Sequence, residues 1–195
     1  IYFNSDKGVS VGQGSTVIMK NNLIVGCALG VGVKDAGSRV TLDQNTFVDC
    51  DIGVDVYEKN FGVGGGSAFV TNTLFSKSSI VPVQVDALSQ LVVSYSLSDT
   101  VAIIAPGSNN LLKAPLFVAP SLLGFSLQPT SPALDSGDPV HATDPDGTRQ
   151  ASHTRKPAAC AVMLTSRDTR SRLPSRRHSS RTLVGRADGA KTSTS

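Results

Sequence analysis

The chain has 195 residues, with no Trp and 18 Gly, long enough for one domain with a sizeable core. Its formal charge of +3 hides a split: residues 1–150 hold 8 Lys+Arg against 13 Asp+Glu, a net of −5, and residues 151–195 hold 10 against 2, a net of +8. The basic pI therefore belongs to the C-terminal stretch and implies no specific nucleic-acid partner for the rest, and no apolar run approaches the roughly 20 residues that cross a bilayer.

Sparse aromatics with abundant Gly, Ser, Thr, Val and Asn favour short strands and tight turns. The opening "GVSVGQGS" at 8–15 reads as the end of a coil, matching "GVGVKDAGS" farther on with one residue fewer. The chain is expected to open mid-coil, as a fragment, and any export signal of a secreted protein is expected upstream of Ile1.

Residues 15–37 set above 38–60 coincide at Ser15/Ser38, Val17/Val40, Asn22/Asn45, Val25/Val48, Cys27/Cys50, Gly30/Gly53, Val31/Val54 and Val33/Val56. Farther on, "AFVTNTLF" at 68–75 aligns with "LVVSYSLS" at 91–98, again with a 23-residue offset. A period of this length marks a solenoid. Within each unit apolar residues alternate with polar ones (Val40, Leu42; Val54, Val56; Val81, Val83, Val85; Leu91, Val93), which is strand period. "KNN", "DQN", "DAGS" and the extended "GVGGGS" at 62–67 supply the turns. A leucine-rich repeat would need a Leu ladder and usually a helical segment. The expected fold is all-β: a right-handed parallel β-helix of about five coils, each coil of three short strands stacked on the next at about 4.8 Å.

Stacking makes specific demands on the matched residues. Val31, Val54 and the valines of "VPVQV" are expected to form an inward column. Asn22 and Asn45, with Asn72 as third rung, are expected to form an amide ladder that satisfies polar groups at a bend. Cys27 and Cys50 share one rung position. Parallel Cβ vectors make a disulfide dihedral awkward there, so a buried pair of thiols is expected, and three cysteines in all do not form a disulfide framework.

The segments "NNLIVGCALGVGVKD", "QNTFVDCDIGVDVYEKN", "VTNTLFSKSS" and "NNLLKAPLFVAPSLLGFSLQPTSPALDSGDP" resemble the right-handed parallel β-helix repeat proteins of the pectin-lyase-like superfamily, in their bacterial secreted or surface form. The resemblance covers roughly residues 8–149 and implies coils over 1–119, a closing segment over 120–150 and an extracellular or cell-surface location. It is specific for fold and unspecific for activity, since the superfamily holds lyases, hydrolases, adhesins and proteins with no assigned chemistry. After "DPDGTR" such domains commonly continue with an Asp-h-Gly-Ala-aromatic strand. Here residues 151–195 follow instead, rich in Arg, Ser and Thr and poor in large apolar residues. Two expectations stay open for this stretch: a disordered basic tail or an out-of-frame terminus.

The resemblance also implies where chemistry would sit. In lyases of the superfamily, outward acids on stacked strands hold Ca²⁺ against a uronate while a nearby Arg or Lys removes a proton. The corresponding carboxylates are Asp35, Asp49, Asp51, Asp55 and Glu58, with Lys34, Arg39 and Lys59 as available bases. No lyase or hydrolase motif surrounds them, so a solvated polar wall is the competing reading. A second acidic group, Asp135, Asp138, Asp144 and Asp146, contains a "DPDG" that matches the start of a Ca²⁺ loop but lacks the closing Glu. Asp144 and Asp146 are its metal candidates, with turn chemistry as the alternative. His141 has no recognisable nucleophile nearby. The expected function is a non-catalytic extracellular scaffold that presents a face to polysaccharide or a cell-surface glycan. The alternative is a polysaccharide lyase or glycoside hydrolase.

Overall fold

The computed structural model describes residues 1–140. From Lys7 to Ser98, two strands of five or six residues are followed each time by one of two or three. The first sheet stacks β1 (Lys7–Val11), β4 (Leu29–Lys34), β7 (Ile52–Tyr57) and β10 (Val81–Val85). The second stacks β2 (Thr16–Lys20), β5 (Arg39–Asp43), β8 (Ser67–Thr71) and β11 (Gln90–Ser94), and the third β3 (Leu23–Val25), β6 (Thr46–Val48), β9 (Leu74–Ser76), β12 (Leu97–Ser98) and β13 (Leu111–Leu112). All pairs within these three sheets are parallel. Through β12 the chain visits the three sheets in a fixed order, and β13 then joins the third sheet directly, which makes it an all-β parallel β-helix.

The repeat seen in the sequence is the register of the sheets. Val17 pairs with Val40, Val25 with Val48, Val31 with Val54 and Val33 with Val56, each 23 residues on. Ala68 pairs with Leu91 and Leu74 with Leu97 at the same spacing. Between those blocks the step lengthens to 28 (Arg39 to Ser67) and 29 (Ile52 to Val81), because residues 58–66 form a loop. The last step, Leu97 to Leu111, shrinks to 14.

Val31, Val54 and Val83 form the expected inward column. Beside it run two columns that fit each other. Ile24, Phe47 and Phe75 point inward from the third sheet, and the Phe47 and Phe75 rings stack with centroids 5.2 Å apart. Gly8, Gly30 and Gly53 face them from the first sheet. A Cβ on Gly53 would lie 2.5 Å from Phe75 Cδ1 and 2.5 Å from the Pro82 carbonyl oxygen, and one on Gly30 would meet Phe47 and the Gly53 carbonyl as closely. These glycines are required by close approach and not by turn geometry.

The third sheet is apolar on both faces, which explains its "LIV", "TFV" and "LFS" strands. Its outward Val25, Val48, Leu74 and Leu97 form a second core with Phe117 and Ala133. The cover begins ahead of the expected boundary at 120, with β14 (Phe117–Ala119), and continues through a 3₁₀ turn at Pro120–Leu122 and β15 (Gly124–Leu127), which pairs antiparallel with β14; these residues together form the closing segment. Phe117 and Phe125 meet edge to face, Ser131 Oγ donates to the Pro115 carbonyl (2.6 Å), and the Asp138 amide donates to Asn72 Oδ1 (2.8 Å). The segment thus runs back along the flank of the coils. The far end of the first core is covered instead by residues 99–110: Ile103 and Ala105 pack on the interior, and the Val93 and Tyr95 amides donate to the Pro106 and Ser108 carbonyls.

Replacing Gly53 by Ala forces a methyl group into the Phe75 ring and the Pro82 carbonyl, so it should cost about 1–3 kcal/mol in urea unfolding. Phe75→Ala should cost about 3–5 kcal/mol. An unchanged midpoint for Gly53→Ala would contradict the close approach.

Candidate functional site

The bends of a β-helix leave backbone groups without sheet partners, and the side chains at each bend take them up. Before each strand of the third sheet the chain turns through a residue with positive φ: Asn21 (55°), Gln44 (56°), Asn72 (50°), Tyr95 (50°) and Asn109 (59°). Asn tolerates this region well and the other side chains less so. The next residue in each coil carries the polar ladder. Asn22 N and Nδ2 both donate to Asn45 Oδ1 (3.0 and 3.1 Å), and Asn45 Nδ2 donates to the Met19 and Asp43 carbonyls (2.9 and 3.1 Å). The third rung is Thr73 and not Asn72: Thr46 pairs with Leu74, which sets Asn45 against Thr73. Ser96 and Asn110 continue it, since Thr73 N donates to Ser96 Oγ (3.2 Å) and Ser96 N to Asn110 Oδ1 (3.1 Å). Asn72 occupies the preceding corner, donates to Asp43 Oδ1 (2.9 Å) and anchors the closing segment. The loop insertion makes the register one residue different from the one that aligns Asn with Asn.

Cys27 and Cys50 are buried free thiols, each donating to the carbonyl two residues before it. Burial pushes the Cys50 thiol up to about 11, which makes it a poor nucleophile near neutral pH.

The five carboxylates of the wall separate into different environments. Asp35 is buried and accepts the Lys59 and Asn60 amides (2.7 and 2.8 Å) as well as Asn60 Nδ2. The Asn60 amide, with Lys59 N and Asn60 Nδ2 beside it, holds the Asp35 carboxyl below its usual value. Glu58 Oε1 accepts Gly64 N (2.7 Å), closing the loop on itself, and Asp51 accepts Ser79 Oγ from the next coil. Asp49 is an exposed corner residue with φ of 56° whose amide donates to the Ser76 carbonyl. Asp55 stands apart, half-buried on the outer face of β7 between Gly32 and Gln84. Its Oδ1 is buried without a hydrogen-bond partner. Burial, then the nearby Asp86 charge, pushes its carboxyl up, while Lys7 pulls it down.

The bases are equally dispersed. Lys34 lies over Gly12, Arg39 stacks its guanidinium 4.4 Å from the Phe69 ring centroid, and Lys59 is exposed at the loop base. Among the described residues, no three His, Cys, Asp or Glu side chains are grouped to hold a metal. Asp135 is an exposed turn residue with φ of 57°, and Asp138 Oδ1 accepts the Val140 amide (2.9 Å). Asp144, Asp146, His141 and Cys160 lie outside the described residues. No described helix is long and apolar enough to cross a membrane.

Asp43, which accepts Asn72 Nδ2 and pairs with Lys20 Nζ at 3.6 Å, and two further acids went unrecognised in the sequence. Asp86 accepts the Glu58 amide (2.6 Å) and the Leu88 amide (3.0 Å), and Asp99 accepts Ser76 Oγ and the Lys77 amide (2.8 Å). A signal for Asp86 was present: "DALS" at 86–89 repeats the pattern of "DAGS" at 35–38. No family model, curated protein or solved structure matches the chain.

The two aspartates should titrate stability in opposite directions. Asp35, held down in the folded state, contributes stability that is present above the unfolded carboxyl value near 4 and is lost as pH falls through its folded value. Asp55, pushed up, contributes stability that is present below the unfolded value and is lost as pH rises through its folded value. Urea melts across pH 3–7 should therefore show Asp35→Asn weaker than the native chain at neutral pH and converging with it in acid. Asp55→Asn should equal or exceed the native chain at neutral pH. The reverse ranking at pH 7 would contradict both assignments.

Proposed function

We propose that this chain is a non-catalytic extracellular scaffold of the pectin-lyase-like type whose outer sheet surface binds polysaccharide or cell-surface glycan. The observation that supports this reading is the outer face of the second sheet. The closing segment packs on the third sheet, whereas the second sheet carries Ile18, Thr41, Phe69 and Val92 as an outward column. Polar residues flank it, among them Arg39, Ser67 and Gln90 on one side and Asp43, Thr71 and Ser94 on the other. A flat face of this kind offers an apolar strip, running from Ile18 to the Phe69 ring that Arg39 caps, with hydrogen-bonding groups at its edges, a combination suited to a pyranose ring and its hydroxyls. The engagement of Asp35, Asp51 and Glu58 within the solenoid further supports a scaffold over a calcium-dependent enzyme.

The alternative, a lyase or hydrolase on acidic polysaccharide, draws support from Asp55, whose unpartnered oxygen lies on the same strand face as Tyr57, two residues on. The described acids of the wall are not grouped to hold the Ca²⁺ that such an enzyme would use.

A panel of plant, algal and bacterial polysaccharides titrated with the full chain, with Ca²⁺ and with chelator, separates the readings. The scaffold reading expects calcium-independent binding weakened about tenfold by Phe69→Ala. Chelator-sensitive binding to a polyuronate with release of unsaturated ends, abolished by Asp55→Ala, would replace it with the enzyme. No binding to any glycan would remove the carbohydrate claim.

A further inference from the structure

The apolar strip on the second sheet is not open along its whole length. Ile18, at its first-strand end, is 67% exposed. Phe69, two strands on in the same outward column, is half-buried, and the Arg39 guanidinium lies over it, 4.4 Å from the ring centroid. Register explains the contact: Arg39 pairs with Ser67 and Thr41 with Phe69, so the arginine reaches the ring along the diagonal between neighbouring strands.

No carboxylate holds this guanidinium elsewhere. Asp43, the acid among the outward residues of the four strands, stands at the opposite edge, where it pairs with Lys20 Nζ (3.6 Å) and accepts Asn72 Nδ2 (2.9 Å). Asp35, four residues before Arg39, keeps its charge but is buried, accepts the Lys59 and Asn60 amides, and has Lys34 as the cation acting on it. Among the described residues Arg39 forms no ion pair, so it is the unbalanced charge of this face. A cation over an exposed ring changes an equilibrium constant by no more than about fivefold. A guanidinium and an oxyanion form paired, charge-assisted hydrogen bonds, which are stronger. An anionic group placed beside the ring therefore draws Arg39 off it.

We propose, resting on the glycan reading above, that Arg39 is the specificity-determining residue of this face. It caps Phe69 against neutral sugars and uncovers the ring for a sugar unit whose carboxylate or sulfate ester takes the guanidinium in exchange. The ligand class is an anionic glycan, read directly by the arginine. Phe69 supplies the contact and Arg39 the choice, because only a ligand that favours one arginine position over the other shifts the balance between them.

The full chain is titrated with two matched pairs: a polyuronate and its methyl ester, and a sulfated galactan and its desulfated form. The acidic member of at least one pair should bind about tenfold more tightly than its neutral counterpart, and the pair that shows this identifies the anion. Arg39→Gln should weaken the acidic member about tenfold and tighten the neutral one about two- to fivefold, because the ring is left open. Phe69→Ala should weaken both. The basic C-terminal stretch is the same in every variant, so acid binding that neither substitution changes would be adsorption through that stretch and would overturn the proposal. Equal affinity for the two members of each pair, or an Arg39→Gln chain that does not gain on the neutral member, would overturn the role of Arg39 while Phe69→Ala still upholds the glycan reading. Binding to no polysaccharide removes that reading and the role of Arg39 with it.

Discussion

Register in a parallel stack is the constraint on which the rest depends. Each strand hydrogen-bonds its equivalent in the next coil, so a residue type must tolerate its counterpart about 4.8 Å away. Valine meets that demand in the interior, and Asn meets it at a bend by bonding its own kind. Phenylalanine meets it only where glycine faces it: Phe47 and Phe75 stack because Gly30 and Gly53 give up their side chains opposite them. The core is thus set by complementary columns, one large and one absent, and not by a uniform apolar content.

Charge in this molecule follows from the same constraint. A longer coil lacks backbone partners for its extra residues, and carboxylates from neighbouring coils accept the orphaned amides. Asp35 and Asp86 grip the 58–66 loop from the coils on either side, and Asp99 does similar work beside the third sheet. An acid committed to two or three donors has little capacity left for an ion or a substrate. Asp55 differs because its strand position points it across a sheet face, where no turn amide reaches it.

The closing segment solves a different problem. A sheet with apolar residues on both faces needs a second cover, and Phe117, Phe125, Leu127 and Ala133 provide it on the flank. The second sheet, with polar residues alternating on its outer side, needs none. Which face stays uncovered is therefore decided by which sheet is two-sided.

The sequence by itself determined the fold class, the coil length and the pairing of Val17 with Val40, Val31 with Val54 and Ala68 with Leu91, because a stack turns sequence period directly into contact. It also determined that Cys50 and Val54 face inward. Only the tertiary structure decided that Thr73 replaces Asn72 in the ladder, since an insertion changes register by a count that no local residue reveals. The division of the acids into staples and the solitary Asp55 was likewise beyond the sequence: acceptors and their donors lie a coil apart, and alternation gives the side of a strand but not what waits there. The placement of the closing segment on the flank was hidden for the same reason, because its apolar residues declare a need for cover without naming the surface that supplies it.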